Sequence, residues 1–230
     1  RNRITILVLV ILCTVLMSTQ WDKMRFTYTE ANLLPDDHQV NIEYNKFLEV
    51  FGEEGNLIVL GVKDSSLFSV ENFNAWNRLS NSFKNNPKVE TVVNVQDLKK
   101  LVKNKQKQQF DFIPFVKDSI KTSQELQLLK SALFNDYPFY ENILFKKKTK
   151  AIRSAIFLKK SIVNTADRKS FIVETLIPKI QTFEKQYGLN VRVSGMPYVR
   201  TLNSQNIIDE IEIFIIAAIL VTSLIFFFFF

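Results

Sequence analysis

The sequence predicts an α+β domain built from β-α-β units and held between two apolar helices. Three observations predict it. Each end of the chain carries a long apolar run. Between them lies a stretch of about 190 residues with ordinary globular composition, long enough to bury a core. Inside that stretch the pattern strand, helix, strand occurs twice.

The first apolar run is Ile4–Met17, ITILVLVILCTVLM, interrupted only by Thr5 and Thr14. Continued to Trp21 it reaches the roughly 18–20 residues that a bilayer requires. Arg1 and Arg3 precede it, and Trp21 suits a lipid–water boundary. A cleaved signal peptide is the competing reading, but STQWDKMRF is a poor cleavage site. Residues 1–21 are therefore expected to form a retained membrane helix. The second run, Ile213–Phe230, carries no charge and ends in five Phe. It reads as a membrane helix, spanning 199–230 and cut short in a fragment; a tail anchor is the alternative. Basic residues before the first helix favour a cytoplasmic start. That places residues 22–198 in the periplasm or at the cell exterior.

The formal net charge is +7. With no Gly-rich phosphate loop and no zinc spacing, nucleic acid is not expected as a partner. The single cysteine, Cys13, lies in the first apolar run, so the middle domain forms no internal disulfide. The single histidine, His38, has only Asp36 and Asp37 beside it, and adjacent side chains diverge. No metal site and no cofactor are expected.

The elements follow in order. Leu33-Leu34-Pro35-Asp36-Asp37 reads as a turn capping a helix, whose apolar positions Ile42, Phe47, Leu48 and Phe51 run to Gly52. Asn56–Lys63, NLIVLGVK, is short and β-rich, a strand buried on both faces. Apolar residues at 70, 73, 76, 79 and 83 give a helix, stopped by Asn85-Asn86-Pro87. Val89–Val95 is the second strand, completing a unit over 56–95. The second unit covers 151–194. Its strand Ala151–Lys159 puts Ile152, Ser154, Ile156 and Leu158 on one face. A helix follows over 165–187, with Pro178 inside the pattern as a kink or late start. Gly188 ends it before a strand over 189–194. Two such units predict a ferredoxin-like sandwich, with parallel pairing inside each unit.

Residues 96–142 form an insert. Lys99–Lys107 reads as a solvated helical face. Phe110-Asp111-Phe112-Ile113-Pro114-Phe115 reads as an apolar loop, either a plug over the core or a contact with membrane, ligand or partner domain. Ser123–Phe134 reads as a helix, with Leu126, Leu129 and Leu133 on one side.

No catalytic constellation is present: serine and cysteine schemes lack their histidine base, so an enzyme is not expected. Asp36-Asp37 and Glu53-Glu54 suit caps and solvated turns, and Glu212 suits a solvated flank rather than a proton site.

Several loose motifs occur in a telling order. Phe26-Thr27-Tyr28 and Leu33-Leu34-Pro35-Asp36-Asp37 lead to Tyr44-Asn45-Lys46-Phe47 and Phe51-Gly52-Glu53-Glu54. Leu129-Lys130-Ser131-Ala132-Leu133 and Tyr140-Glu141-Asn142 come before the Ala151–Lys159 strand, and Val193-Ser194-Gly195-Met196-Pro197 enters a long helix. This order resembles the first periplasmic loop and flanking helices of the resistance-nodulation-division (RND) transporters, in the branch of the mycobacterial large membrane proteins (MMPL) and hopanoid exporters. The resemblance implies a porter-type domain in a proton-driven exporter of hydrophobic or lipid-like molecules, set in a bacterial inner membrane with its central domain periplasmic. It implies membrane lipid, a hydrophobic substrate, a second half of the same transporter and further copies as partners. No proton-relay residue is carried over. On this reading Phe112 and Phe115 are the candidate substrate contacts. The alternatives are an extracytoplasmic sensor of a two-helix signalling receptor and the permease of an ATP-driven exporter.

Overall fold

A computed structural model describes residues 3–19, 35, 37–51, 55–104, 106, 109–116 and 119–229. Trp21, the motifs within 22–34, Asp36, Gly52-Glu53-Glu54 and the side chains of Phe51 and Glu212 lie outside the described residues. The chain divides into two compact units, Arg1–Leu33 and Leu34–Phe230.

In the first unit, helix α1 spans Arg3–Ser18. Thr19 closes it, its N–H donating to Val15 O and its hydroxyl to Leu16 O. Val8, Leu9, Leu12 and Met17 are exposed, as is the free Cys13.

The second unit opens with α2, Gln39–Phe51. His38 starts it: its N–H donates to Pro35 O, and its Nδ1 accepts from Val40 N–H. The main sheet then combines β1 (Leu57–Val62), β2 (Val89–Val93), β5 (Phe145–Lys146), β6 (Ala151–Leu158) and β7 (Val191–Ser194). Its order is β2–β6–β1–β7, with β5 on β6. Every pairing is antiparallel. This corrects the parallel pairing expected inside each unit. The crossover from β1 lands one strand beyond its neighbour, and β6 fills the gap.

The alternation of β1 and β6 decides where the core sits. Ile58, Leu60 and Val62 face Ile156, Ser154 and Ile152 across the ladder, and all six are fully buried. Burial of each aliphatic side chain contributes about 1.5–3 kcal/mol. The opposite face, with Leu57, Val59, Ala155 and Phe157, is half-buried, so β1 is not buried equally on both sides. Over the buried face lie α3 (Val70–Asn81) and the long helix after β6. That helix runs as α5 (Ala166–Ser170), a π-helical turn (Phe171–Leu176) and α6 (Ile177–Tyr187). Trp76 meets Phe183 edge-on with ring centroids 6.0 Å apart, and Phe83 meets Phe171 at 6.2 Å. The π turn is the fold's answer to Pro178. Proline has no N–H to offer Glu174 O and crowds that carbonyl. Widening the turn, with Ile177 N–H donating to Ile172 O, keeps the helix continuous.

The insert differs from its expectation. Lys99–Asn104 and Gln109–Pro114 are strands, β3 and β4, paired antiparallel as a separate two-stranded sheet. No helical face is present there, and of the apolar run only Phe115, just beyond β4, packs against the core. A lysine-rich strand with no buried residue, half-buried only at Val102 and Asn104, gives little period-2 alternation to read. Helix α4, Ser123–Asp136, follows, opened by a reciprocal Thr122–Glu125 capping box.

The last helix, α7, spans Met196–Phe229. Among the described residues, no helix is long and apolar enough to cross a membrane. α1 has 16 residues, about 24 Å against a hydrocarbon core of about 30 Å. This finding overturns the two-span reading. The class of a porter-type ferredoxin-like domain flanked by membrane helices is withdrawn with it. What stands is a mixed α+β fold with one larger and one smaller open sheet.

Candidate anion-binding cleft

A cavity of about 380 Å³ opens between α4 and the 3-10 turn Ser65–Phe68. Asp64 fixes that turn: its carboxylate accepts from Ser66 N–H at 2.8 Å and Ser66 Oγ at 2.7 Å. These bonds favour the charged form and hold its pKa below the ordinary carboxylate value. Ser69 then caps α3, its hydroxyl accepting from Asn72 N–H. Phe68 is left between two caps, with its ring 6.4 Å from that of Phe73 in the core.

The second wall is one face of α4. Leu126, Lys130 and Phe134 recur every four residues, so they stack on that face. Leu126 and Phe134 anchor it in the core. The Phe68 and Phe134 centroids lie 6.0 Å apart, and Phe134 meets Phe145 of β5 edge-on at 5.4 Å. The floor is therefore aromatic and tied to the main sheet.

Two ammonium groups cover that floor. Lys130 Nζ sits 4.3 Å from the Phe68 centroid, and Lys150 Nζ sits 4.3 Å from the Phe134 centroid. Each such contact contributes about 0.5–1 kcal/mol at an exposed site. Among the described residues, the ion pairs are Lys84–Asp97 and Lys88–Asp167. Among these residues neither cleft lysine is paired with a carboxylate. Ser131, Asn135 and Gln127 add polar groups at the rim.

Lys150 has φ +54°, in the left-handed region. It is the last residue of the turn joining β5 to β6, where Gly or Asn is usual. A residue with a Cβ costs about 1–2 kcal/mol there. The chain meets that cost at the residue whose ammonium covers the cavity.

The sequence-predicted contacts fall elsewhere, in two different settings. Phe112 is on β4, opposite Leu101, and is 70% exposed. Phe115 is half-buried just beyond the strand, its ring 4.7 Å from Tyr137. With Ile120, Leu128 and Leu129 it lines a second cavity of about 530 Å³. Tyr137 is buried, which pushes its hydroxyl pKa up. Sequence reasoning missed the cleft because its residues come from three separate segments. The one local signal is a lysine where a hairpin turn favours glycine. Among the described residues, no group of three or more His, Cys, Asp or Glu side chains gathers as a metal site.

No family model matches the chain, and no curated protein matches it. The likeness to the RND transporters has no support from these comparisons, and the described helices lack the spans it requires. The exporter function, its receptor and permease alternatives and the inner-membrane placement are withdrawn on that finding. So are lipid, a transporter second half, further copies and an exported substrate as partners.

Proposed function

We propose that the protein is a non-catalytic binding domain whose ligand is a small organic anion with a flat apolar body. The supporting observation is the pairing of Lys130 and Lys150 over Phe68 and Phe134 in one cavity. A flat ring fits against the aromatic floor by replacing an ammonium contact, and the displaced lysines turn to a carboxylate or phosphate. A charge-assisted hydrogen bond of that kind is worth about 1.5–3 kcal/mol. The volume lies within the range of small-molecule sites, roughly 300–1,000 Å³. The cleft lining includes no His, Cys, Asp or Glu, and no metal-type cluster gathers among the described residues, which favours binding over turnover.

Titration calorimetry with 1-naphthyl phosphate, against neutral 1-naphthol and inorganic phosphate, tests the reading. Naphthyl phosphate should bind tightest and lose affinity as salt rises. Lys130→Gln and Lys150→Gln should each weaken it about tenfold, or about 1.4 kcal/mol. Equal binding of naphthol, or unchanged affinity in both variants, would overturn the proposal.

A further inference from the structure

The β3–β4 hairpin buries none of its residues. Its strands pair only with each other among the described residues. The ladder runs from Lys99↔Pro114 to Asn104↔Gln109 and is extended by Phe115 N–H donating to Leu98 O at 2.8 Å. An isolated two-stranded ribbon is marginal in water, and stability needs a third strand or a covering partner.

Register sorts its side chains. Lys99, Leu101 and Lys103 share one face with Pro114, Phe112 and Phe110. On that face Leu101 is 52% exposed, Phe110 61% and Phe112 70%. An apolar strip is thus laid open, with a lysine on either side of Leu101. The carboxylate of Asp111 on the other face is already engaged, by Asn104 at 2.8 Å and Gln109 at 3.1 Å. The exposed face therefore meets its partner as a purely cationic frame.

The two outer edges are not equivalent. β4 ends on Pro114, which has no N–H to donate. β3 has no proline, and its edge carries Lys99, Lys100 and Lys103. Lysines on an edge repel an identical edge and admit an acidic one. Docking a second copy there would set lysine against lysine.

We infer that β3 is the docking edge for an extended acidic protein segment, which adds a third strand to the hairpin. On the exposed face the segment alternates acid, apolar, acid: carboxylates meet Lys99 and Lys103, and the apolar side chain rests on Leu101 against Phe112. Main-chain hydrogen bonds give affinity, and the alternating side chains give register. Nucleic acid fits less well. Of the three apolar side chains on the strip Leu101 offers no ring, and a base-stacking platform leaves the β3 edge unused.

The test uses the full chain and a labelled synthetic peptide, acetyl-Glu-Thr-Glu-Thr-Val-Thr-Glu-Thr-Glu-amide, with a control in which every Glu is Lys. Fluorescence anisotropy should show binding of the acidic peptide only, weakening as salt rises. Lys99→Gln with Lys103→Gln should weaken it at least tenfold, as should Phe110→Ser with Phe112→Ser. Hydrogen exchange should show new protection on β3 amides and unchanged protection on β1 and β6 in every variant, so that misfolding is distinguished from lost docking. Equal binding of the lysine peptide, no binding, or protection on β4 instead of β3 would overturn the inference. Displacement of the peptide by oligothymidine, or hairpin-dependent self-association in sedimentation, would replace it with the corresponding other partner.

Discussion

A Cβ placed on Gly195 would stand 2.2 Å from the carbonyl oxygen of Leu57, well inside any tolerated contact. Gly195 joins β7 to α7 at φ +125°, a backbone angle that side chains rarely allow. The obstacle is the backbone of the central strand, which cannot move aside without breaking its ladder. Gly195→Ala should cost about 3 kcal/mol or more in denaturant unfolding. Gly188 supplies the contrast. It ends α6 at φ +65°, and nothing lies within 4 Å of its Cβ position. Gly188→Ala should cost only about 1 kcal/mol, for conformation alone.

Ser154 is fully buried opposite Leu60, and its hydroxyl has no hydrogen-bond partner among the described residues. Burying an unmade hydroxyl bond costs about 1–3 kcal/mol. Ser154→Ala leaves the strand and its neighbours in place. It should raise stability by about 1 kcal/mol, read as a higher thermal midpoint.

Glu125 accepts from the backbone N–H groups of Lys121 and Thr122, which hold its pKa below the ordinary 4.5. A folded-state pKa below the unfolded one means stabilisation that is present above the unfolded value. It is lost as pH falls through the folded value. Amides of the first turn of α4 should therefore exchange faster, after correction for intrinsic rate, as pH falls below 4.5. Glu125→Gln should flatten this dependence. Thr122→Ala removes the other half of the box and should cost about 1 kcal/mol at neutral pH.

Lys150 separates a structural role from a binding role. Asparagine tolerates the left-handed region better than lysine does. Lys150→Asn should therefore leave stability unchanged or raise it by up to about 1 kcal/mol. Binding of naphthyl phosphate should nevertheless fall. A variant that lost stability and kept affinity would show that the lysine serves the turn alone.

Legibility followed the periodicity of each segment. β6 was readable at Ala151–Lys159 because its alternation matches a sheet with one buried face, and the structure forms a strand at Ala151–Leu158. α3 was readable from its apolar spacing and occupies Val70–Asn81. Pro178 announced an irregularity, and only packing decided that it became a π turn. β3 is hard to read from sequence because Lys99, Lys100 and Lys103 mask its alternation, and its inner face is only half-buried, at Val102 and Asn104. The strand order was beyond local pattern, since β1 chooses partners by burial rather than by nearness in the chain. The cleft was hidden for the same reason: Phe68, Phe134 and Lys150 meet only after folding.

The interleaved sheet sets a timetable for synthesis. Both neighbours of β1, the strands β6 and β7, are synthesised after α4. Until then a nascent chain displays Ile58, Leu60 and Val62 on a strand with two bare edges, the kind of segment that chaperones hold. A chain released before Ala151 could not complete its first half, and the domain is born whole or not at all.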